Sequence, residues 1–210
     1  KSWETSTLTV LAAIQAVLGS MILGVYFGFG DEASKIGSNP MLLLRQTIDA
    51  PIFAQADYVK LIKGNGLSPA LQNYWMTIHP PTLFLGFAST SIPFAYAIAG
   101  LWTKRHTEWL KPALPWALFC GSILGTGILM GSAWAYEALN FGGYWAWDPV
   151  ENTSLVPWLI IIAGVHTNLI SKATGHSVRS SYIFYLLSFL LVVYSTFLTR
   201  SGVLGETSVH

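Results

Sequence analysis

Charge and cysteine are what this sequence has least of. Only 10% of its 210 residues are charged, and Cys120 is the single cysteine. Soluble domains usually carry about 25% charged residues, so this composition argues against a soluble domain. One thiol excludes an internal disulfide and a Cys-x-x-Cys redox pair, and Cys120 reads as a small buried side chain. The net charge of +1 offers no basic surface, so we expect no nucleic-acid partner.

Long apolar runs take the place of the missing charge. The chain is 52% hydrophobic, with a mean hydropathy of +0.50. A helix that crosses a bilayer needs roughly 20 mostly apolar residues, and five segments approach this length. They run from about Thr7 to Phe27, from the His79-Pro80-Pro81 step to Trp102, from Pro112 to Trp134, from Leu155 to Ile170 and from Tyr182 to Leu198. We predict an all-α, polytopic membrane protein with about five transmembrane helices in the lipid bilayer.

Basic residues predict the orientation of these spans. The short loops 103–111 and 171–180 are rich in Lys and Arg, which indicates the inner side of the membrane. Regions 28–78 and 135–154 and the tail after residue 200 then lie outside. Region 28–78 also holds basic residues, but long loops follow the rule least. We expect one transmembrane domain, 1–210, which is a segment of a longer protein, with 135–154 as its principal outer loop.

Aromatic side chains are concentrated in and around that outer loop. Seven of them fall within 25 positions, from Trp134 to Trp158, and Gly142-Gly143 provides a flexible turn before the densest part. Trp and Tyr also collect at membrane interfaces, which would make the cluster an interfacial belt. A platform for a flat, mostly apolar ligand is the other interpretation. Composition leaves both open.

Two carboxylates follow the tryptophans. The order Asp148-Pro149-Val150-Glu151 is typical of a helix start, with Asp as the N-cap, Pro at the first position and Glu at the third. The same carboxylates could instead position the loop or contact a ligand, and the two roles are compatible.

Histidines on the outer side are candidate metal ligands. His79 precedes Pro80-Pro81, so we predict it as the N-cap of the second span, where the helix dipole keeps imidazole neutral. A metal needs that neutral form. His210 lies on the same side beyond the fifth span, and the two rings could bracket a haem iron. A purely capping or hydrogen-bonding His79 is the alternative.

His166 lies deep inside the fourth span, about eleven residues from Leu155. Ionisable groups at such depth are costly and usually functional. We expect either a ligand to a membrane-embedded haem or a hydrogen bond to another helix, through the nearby Asn168 or Thr167. His106 and His176 belong to the inner loops and are expected to be solvated.

Three strings resemble a known family. GGYWAWDPVENTSLVPWL (142–159) resembles the tryptophan-rich WWD signature of the cytochrome c assembly family, which handles haem. IHPPTLFLGF (78–87) and LTRSGVLGETSVH (198–210) are similar to segments of its CcmF haem lyase branch, in the same order. His166 falls where that branch has a transmembrane histidine. The CcsA and CcmC branches are the second choice.

The resemblance implies a set of haem contacts. His79 and His210 would be the axial iron ligands of an outer-face haem b, and His166 one ligand of a second, membrane-embedded haem. The platform residues that it implies are Trp134, Gly142, Gly143, Tyr144, Trp145, Trp147, Asp148, Glu151 and Asn152.

The resemblance also implies a function, namely cytochrome c biogenesis. The protein would present haem for covalent attachment to the Cys-x-x-Cys-His segment of apocytochrome c, as part of a haem lyase. Partners would be apocytochrome c, haem-delivery proteins and other maturation proteins. It would lie in a bacterial inner membrane, with the tryptophan-rich loop, His79 and His210 on the periplasmic side. A haem transporter without ligation activity, a haem-b redox subunit that accepts electrons from quinol, and a structural scaffold are the alternatives.

Overall fold

The computed structural model describes residues 3–28, 34–37 and 39–204. Two three-residue strands, β1 (Val25–Phe27) and β2 (Ser34–Ile36), pair antiparallel with Val25 opposite Ile36. The helices in chain order are α1 (Glu4–Leu23), α2 (Leu44–Thr47), α3 (Tyr58–Leu61), α4 (Tyr74–Ser89), α5 (Ser91–Trp102), α6 (Leu110–Ala138), α7 (Pro149–Thr174) and α8 (Val178–Arg200).

Five helical segments are long and apolar enough to cross a membrane. They are α1, α4 together with α5, α6, α7 and α8. The predicted all-α polytopic membrane fold is therefore confirmed, and the span boundaries differ from the predicted ones by a few residues. Within the described part of the chain, β1 and β2 are the sole regular elements that are not helical.

The chain divides into two compact units. One comprises residues 12–68, and the other comprises residues 1–11 with 69–210. The unit 12–68 contains most of α1, the strand pair, α2 and α3. Its short helices are linked by a hydrogen bond from Arg45 Nη1 to the Tyr58 hydroxyl at 3.4 Å, and Tyr58 meets Phe53 edge to face.

The start of α4 corrects one prediction. His79 is not an N-cap, because α4 begins at Tyr74 and His79 lies inside the helix. The cap is Asn73, whose side-chain oxygen accepts from the Trp75 backbone N–H at 2.8 Å. Glu137 of α6 holds this extra turn by accepting from Asn73 Nδ2 at 2.9 Å and from Trp75 Nε1 at 3.1 Å. A contact 64 residues away thus outweighs the local helix-start signal of the two prolines.

The second span is divided at Thr90, between α4 and α5. Pro93 has no N–H to give to the carbonyl of Ser89, so the regular helical ladder is interrupted there. The hydroxyls of Thr90 and Ser91 bond instead to carbonyls three residues earlier, at 2.7 and 2.6 Å. The break lets one span bend between its two helices.

Helix α6 meets both of its main neighbours through glycines. Towards α7, the ring nitrogen of Trp158 donates to the Gly121 carbonyl at 2.9 Å, and a Cβ on Gly125 would lie 2.7 Å from that nitrogen. Towards α4, a Cβ on Gly127 would lie 2.8 Å from the Cα of Leu83. Small residues four apart, here Gly121 with Gly125 and Gly127 with Gly131, permit such close helix packing in lipid.

A buried polar cluster joins the helices where α6 begins, α7 ends and α8 begins. Asn168 on α7 is 1% exposed and donates to the Leu110 carbonyl at 3.1 Å and to the Tyr185 hydroxyl at 3.0 Å. Trp109 is fully buried and stacks at a tilt on Tyr182, with ring centroids 4.4 Å apart. These contacts join α6, α7 and α8, so the helices cannot slide past one another without losing buried hydrogen bonds.

The loop between α5 and α6 also contacts the start of α1. The guanidinium of Arg105 lies 4.3 Å from the centre of the Trp3 ring, and its Nε donates to Glu108 at 2.9 Å. The hydrogen bond and charge of Arg105 lower the pKa of the Glu108 carboxyl. This basic loop is therefore held both by a side-chain pair within the loop and by a contact with Trp3.

Candidate functional site

The tryptophan-rich loop is shorter than its sequence range indicated. Helix α6 continues to Ala138 and α7 begins at Pro149, so the irregular segment is 139–148 rather than 135–154. We call residues 139–148 the tryptophan loop. Trp134, before it, is anchored by a hydrogen bond from its ring nitrogen to the Ala70 carbonyl at 2.9 Å.

The two carboxylates that follow the tryptophans accept hydrogen bonds from backbone N–H groups. Asp148 is the N-cap of α7 and accepts from the Val150 N–H at 2.6 Å. Glu151 reaches back and accepts from the N–H groups of Ala146 at 2.9 Å and Asp148 at 3.3 Å. The capping prediction is confirmed, and the two acids, 5% and 8% exposed, tie the loop to the helix.

Trp147 adopts an uncommon backbone conformation. Its φ is +57°, in the left-handed region, which costs an ordinary side chain about 1–2 kcal/mol. Asn152 stabilises it, because its side-chain amide donates to the carbonyls of Trp147 at 3.1 Å and Asp148 at 3.0 Å. Trp147 is 73% exposed, and its ring meets that of Trp145 edge to face, with centroids 6.1 Å apart.

His79 is fixed from two sides. Its Nδ1 lies 2.8 Å from the Gly127 carbonyl, which can only accept, so Nδ1 carries the proton. Its ring also rests on Gly131, where an added Cβ would lie 2.6 Å from Cε1. In the neutral ring the lone pair is then on Nε2. A backbone carbonyl on the other nitrogen is the usual partner of a metal-binding histidine.

A cavity of about 520 Å³ lies beside this ring, between α4, α6, α7 and α8. We call it the histidine cavity. His79, Trp134, Trp145 and Glu151 line it, so it brings together four of the predicted site residues. Its size falls within the range of about 300–1,000 Å³ that is typical of small-molecule sites.

A second, more open cavity of about 460 Å³ lies along α6 and α7. We call it the tryptophan groove, because Trp145, Trp147 and Trp158 line it with aliphatic side chains. Trp145 thus forms part of both walls. Its ring nitrogen is buried and has no hydrogen-bond partner among the described residues. A buried N–H donor without a partner is costly, so a ligand acceptor here would be favoured.

Other predicted platform residues act on the loop rather than on the cavities. Tyr144 stacks on Tyr136, with centroids 4.3 Å apart and planes at 6°. Gly142 has a φ of +70° and makes the turn before the tryptophans. Neither cavity, as lined by the described residues, includes Gly142, Gly143, Tyr144, Asp148 or Asn152.

His166 stands apart from both cavities. It is exposed on α7, and its Nδ1 donates to the Ile162 carbonyl of its own helix at 2.8 Å. The alternative of a bond through Asn168 or Thr167 is wrong, because these residues face α6 and α8 and bond there. His210 lies outside the described residues. His106 and His176 are exposed, as predicted.

Arg200 is a residue at the histidine cavity that the sequence argument missed. It is the last residue of α8 and lines the cavity. From the sequence alone, this position marks only the end of the fifth span. A charged residue at the predicted outer end of a membrane helix was the available signal. Its position at the cavity depends on the packing of α8 against α7.

Comparisons with known proteins agree on one family. The family described as "Cytochrome C assembly protein" matches residues 2–204. The chain is 43% identical to cytochrome c-type biogenesis protein CcmF of Pseudomonas aeruginosa over 148 residues, which are 70% of this chain and 22% of the relative. It is 38% identical to cytochrome c-type biogenesis protein CycK of Bradyrhizobium diazoefficiens, covering 91% of this chain and 32% of the relative.

A solved structure is also similar. The protein titled "Cytochrome c Heme Lyase CcmF" matches with a TM-score of 0.57 and 38% sequence identity. The match covers 74% of this chain and 26% of that one. The chain therefore spans about a fifth to a third of the length of these relatives.

Proposed function

The chain belongs to the cytochrome c assembly family, and on that premise we propose that it binds haem in the histidine cavity for attachment to apocytochrome c. The observation that carries the proposal is His79. Its protonated Nδ1 is held by the Gly127 carbonyl, and its ring lies in the wall of a cavity with two tryptophans. A neutral histidine held in this way would be able to bind haem iron through Nε2.

The rest of the cavity suits haem as well. Trp134 and Trp145 offer flat apolar surfaces, and the buried N–H of Trp145 has no partner among the described residues. Haem bound here would supply the vinyl groups to which the two cysteines of a Cys-x-x-Cys-His segment become attached. The protein's own contribution would be positioning, through the hydrogen bond on His79 and the capped tryptophan loop.

Exposure of Trp147 fits the presentation of haem to a protein substrate. Its ring is 73% exposed, although Asn152 and Glu151 hold the loop in place. An exposed aromatic on a rigid loop is suited to contact apocytochrome c, because it loses little conformational freedom on binding. We propose haem-delivery proteins and other maturation proteins as further partners.

Two further ligand roles belong to the proposal. His210 would be the second axial ligand of the outer haem b. His166 would be one ligand of a membrane-embedded haem b, since its Nδ1 is tied to Ile162 and its ring is on the exposed face of α7. Its partner would come from outside the described residues.

We propose a bacterial inner membrane as the location, with the tryptophan loop on the periplasmic side. Support comes from the basic loops 103–111 and 171–180, which lie at the other ends of the spans. Apocytochrome c would then meet haem on the outer face.

An absorption spectrum tests the haem proposal. The chain is purified from haem-replete cells, and spectra are recorded before and after dithionite for the wild type, His79→Ala and the exposed control His176→Ala. We expect sharp reduced bands in the wild type and control, and their loss or strong decrease in His79→Ala. Equal bands in all three proteins would contradict the role of His79, and a colourless wild type would contradict haem binding.

A second measurement separates presentation from transport or electron transfer. The chain is co-expressed with apocytochrome c and the maturation proteins of its host, and haem covalently bound to the cytochrome is stained after denaturing electrophoresis. A stained cytochrome that disappears with His79→Ala supports attachment. Haem binding with no covalent product would favour a haem relay, and a fixed haem indifferent to apocytochrome would favour a redox subunit.

A further inference from the structure

Arg200 is the cationic side chain of the histidine cavity. Among the described residues that line this cavity it is the sole Lys or Arg, and it ends α8. The other charged residue of the wall is Glu151, whose carboxylate accepts from the N–H groups of Ala146 and Asp148. The described wall of the cavity therefore contains one carboxylate, which bonds to the loop backbone, and one guanidinium.

No carboxylate in the described structure neutralises Arg200. The ion pairs of the described residues are Lys60–Asp57 and Arg105–Glu108, and Arg200 belongs to neither. This leaves a guanidinium, with five N–H donors in a planar fork, at the edge of a mostly apolar cavity.

The packing of α8 on α7 brings Arg200 to the level of the tryptophan loop. Ser195 Oγ donates to the Thr153 carbonyl at 2.6 Å, so these two residues face each other. The two helices run in opposite directions, and five residues beyond Ser195 on α8 correspond to five residues before Thr153 on α7. Arg200 is accordingly at about the level of Asp148, where the loop joins its helix.

A simpler role is available for this residue. A cation in the last turn of a helix stabilises the negative end of the helix dipole, whatever lies beside it. That role does not depend on the chemistry of a cavity ligand. Comparing a ligand that has carboxylates with one whose carboxylates are masked therefore separates the dipole role from a direct contact.

We propose that Arg200 binds a propionate carboxylate of haem and thereby sets which edge of the porphyrin enters the cavity. This inference rests on the proposed haem function. Guanidinium and carboxylate form paired, charge-assisted hydrogen bonds, and Glu151 would repel a propionate placed on its side. Because the vinyl groups lie away from the propionate edge, anchoring the propionates also determines which edge remains for the substrate cysteines. Arg200 is thus a positioning residue.

The test is a haem titration of the purified chain in detergent, with haem and with haem dimethyl ester, whose two carboxylates are masked. Wild type is compared with Arg200→Gln, Arg200→Lys and the control Arg179→Gln, which alters an arginine at the other end of α8. We expect Arg200→Gln to bind haem about tenfold more weakly and the ester as wild type does. Arg200→Lys should be intermediate, because a lysine keeps the charge and loses the fork.

The ester titration is also the folding control, because the proposal requires Arg200→Gln to bind the ester as wild type does. An equal loss for haem and its ester, or no loss for either, overturns the propionate contact and leaves haem binding intact. If wild type binds haem with no dependence on His79, the proposed function itself fails, and the role of Arg200 fails with it.

Discussion

At the scale of single residues, the position of His79 depends on two glycines of α6. Gly127 supplies the carbonyl that accepts from Nδ1, and Gly131 supplies the space in which the ring lies. The spacing of four residues between these glycines is typical of close helix packing in membranes. It also forms the seat of the candidate iron ligand, because the missing side chain at Gly131 is replaced by the imidazole.

Gly131→Ala should therefore weaken haem binding. A Cβ there would lie 2.6 Å from Cε1 of His79, so the ring must move. Overpacking of this kind typically costs about 1–3 kcal/mol, which corresponds to roughly a five- to 150-fold loss of haem affinity. The measurement is the haem dissociation constant.

Gly121→Ala is the matched control in the same helix. Its Cβ would meet the flexible end of Ile162 at 3.0 Å, away from His79. We expect this variant to keep its haem affinity to within about threefold. Equal affinities for Gly131→Ala and the control would show that the seat of the ring does not matter for haem.

Gly142 and Gly143 offer a second comparison of neighbours. Gly142→Ala should destabilise the protein by about 1–2 kcal/mol, because φ at Gly142 is +70° although the space around it is open. Gly143→Ala should be nearly neutral, since its Cβ would make an ordinary contact with Phe141 at 3.5 Å. Melting followed by tryptophan fluorescence in detergent checks both, and equal melting temperatures would refute the argument from backbone strain.

At the scale of elements, the first turn of α7 organises the tryptophan loop. Asp148 and Glu151 satisfy backbone N–H groups of the helix and the loop, and Asn152 bonds to two loop carbonyls. Three side chains on one helical turn thus control a segment that carries two tryptophans. The loop is rigid for a local reason, namely the capping chemistry of the helix that follows it.

Substitutions at Asp148 can distinguish its role as the N-cap of α7 from a contact between its carboxylate and the ligand. Asp148→Ala should lose about 0.5–2 kcal/mol of stability, whereas Asp148→Asn should retain most of it, since Asn is an equally good N-cap. The melting temperature and the haem affinity are measured on both variants. If Asp148→Asn keeps its melting temperature and loses haem affinity, the carboxylate has a role in binding beyond the cap.

At the scale of the whole molecule, five apolar helical segments and two basic short loops determine the topology that we propose. Helices α6, α7 and α8 are joined at one end by Asn168 and Trp109, and the histidine cavity lies towards the other. The basic loops 103–111 and 171–180 lie at the joined end, so the cavity would open on the outer side.

Thiol labelling tests this orientation. Cys120 is fully buried, so new cysteines are detected against little background. In right-side-out vesicles, a membrane-impermeant maleimide should label Gly143→Cys and should leave Lys172→Cys unlabelled until the membrane is opened. Cys120 in the otherwise unchanged chain is the control. The reverse pattern would invert the topology.

Much of this protein could be predicted from sequence because the relevant signals are local. Apolar runs of about 20 residues are typical of membrane-spanning helices. The order Asp148-Pro149-Val150-Glu151 caps a helix through atoms that lie within a few residues of each other. The spans and the cap of α7 were accordingly predicted, together with a resemblance to the family that the comparisons found.

Tertiary structure alone decided where the candidate ligands lie. His79 reads as a helix start in sequence and lies inside α4, because Glu137, 62–64 residues away, holds Asn73 and Trp75 in an extra turn. Its ring is set by Gly127, 48 residues away. Arg200 reaches the same cavity through the packing of α8 on α7. Such contacts join residues far apart in the chain, and their energies depend on helix packing, which no local pattern contains.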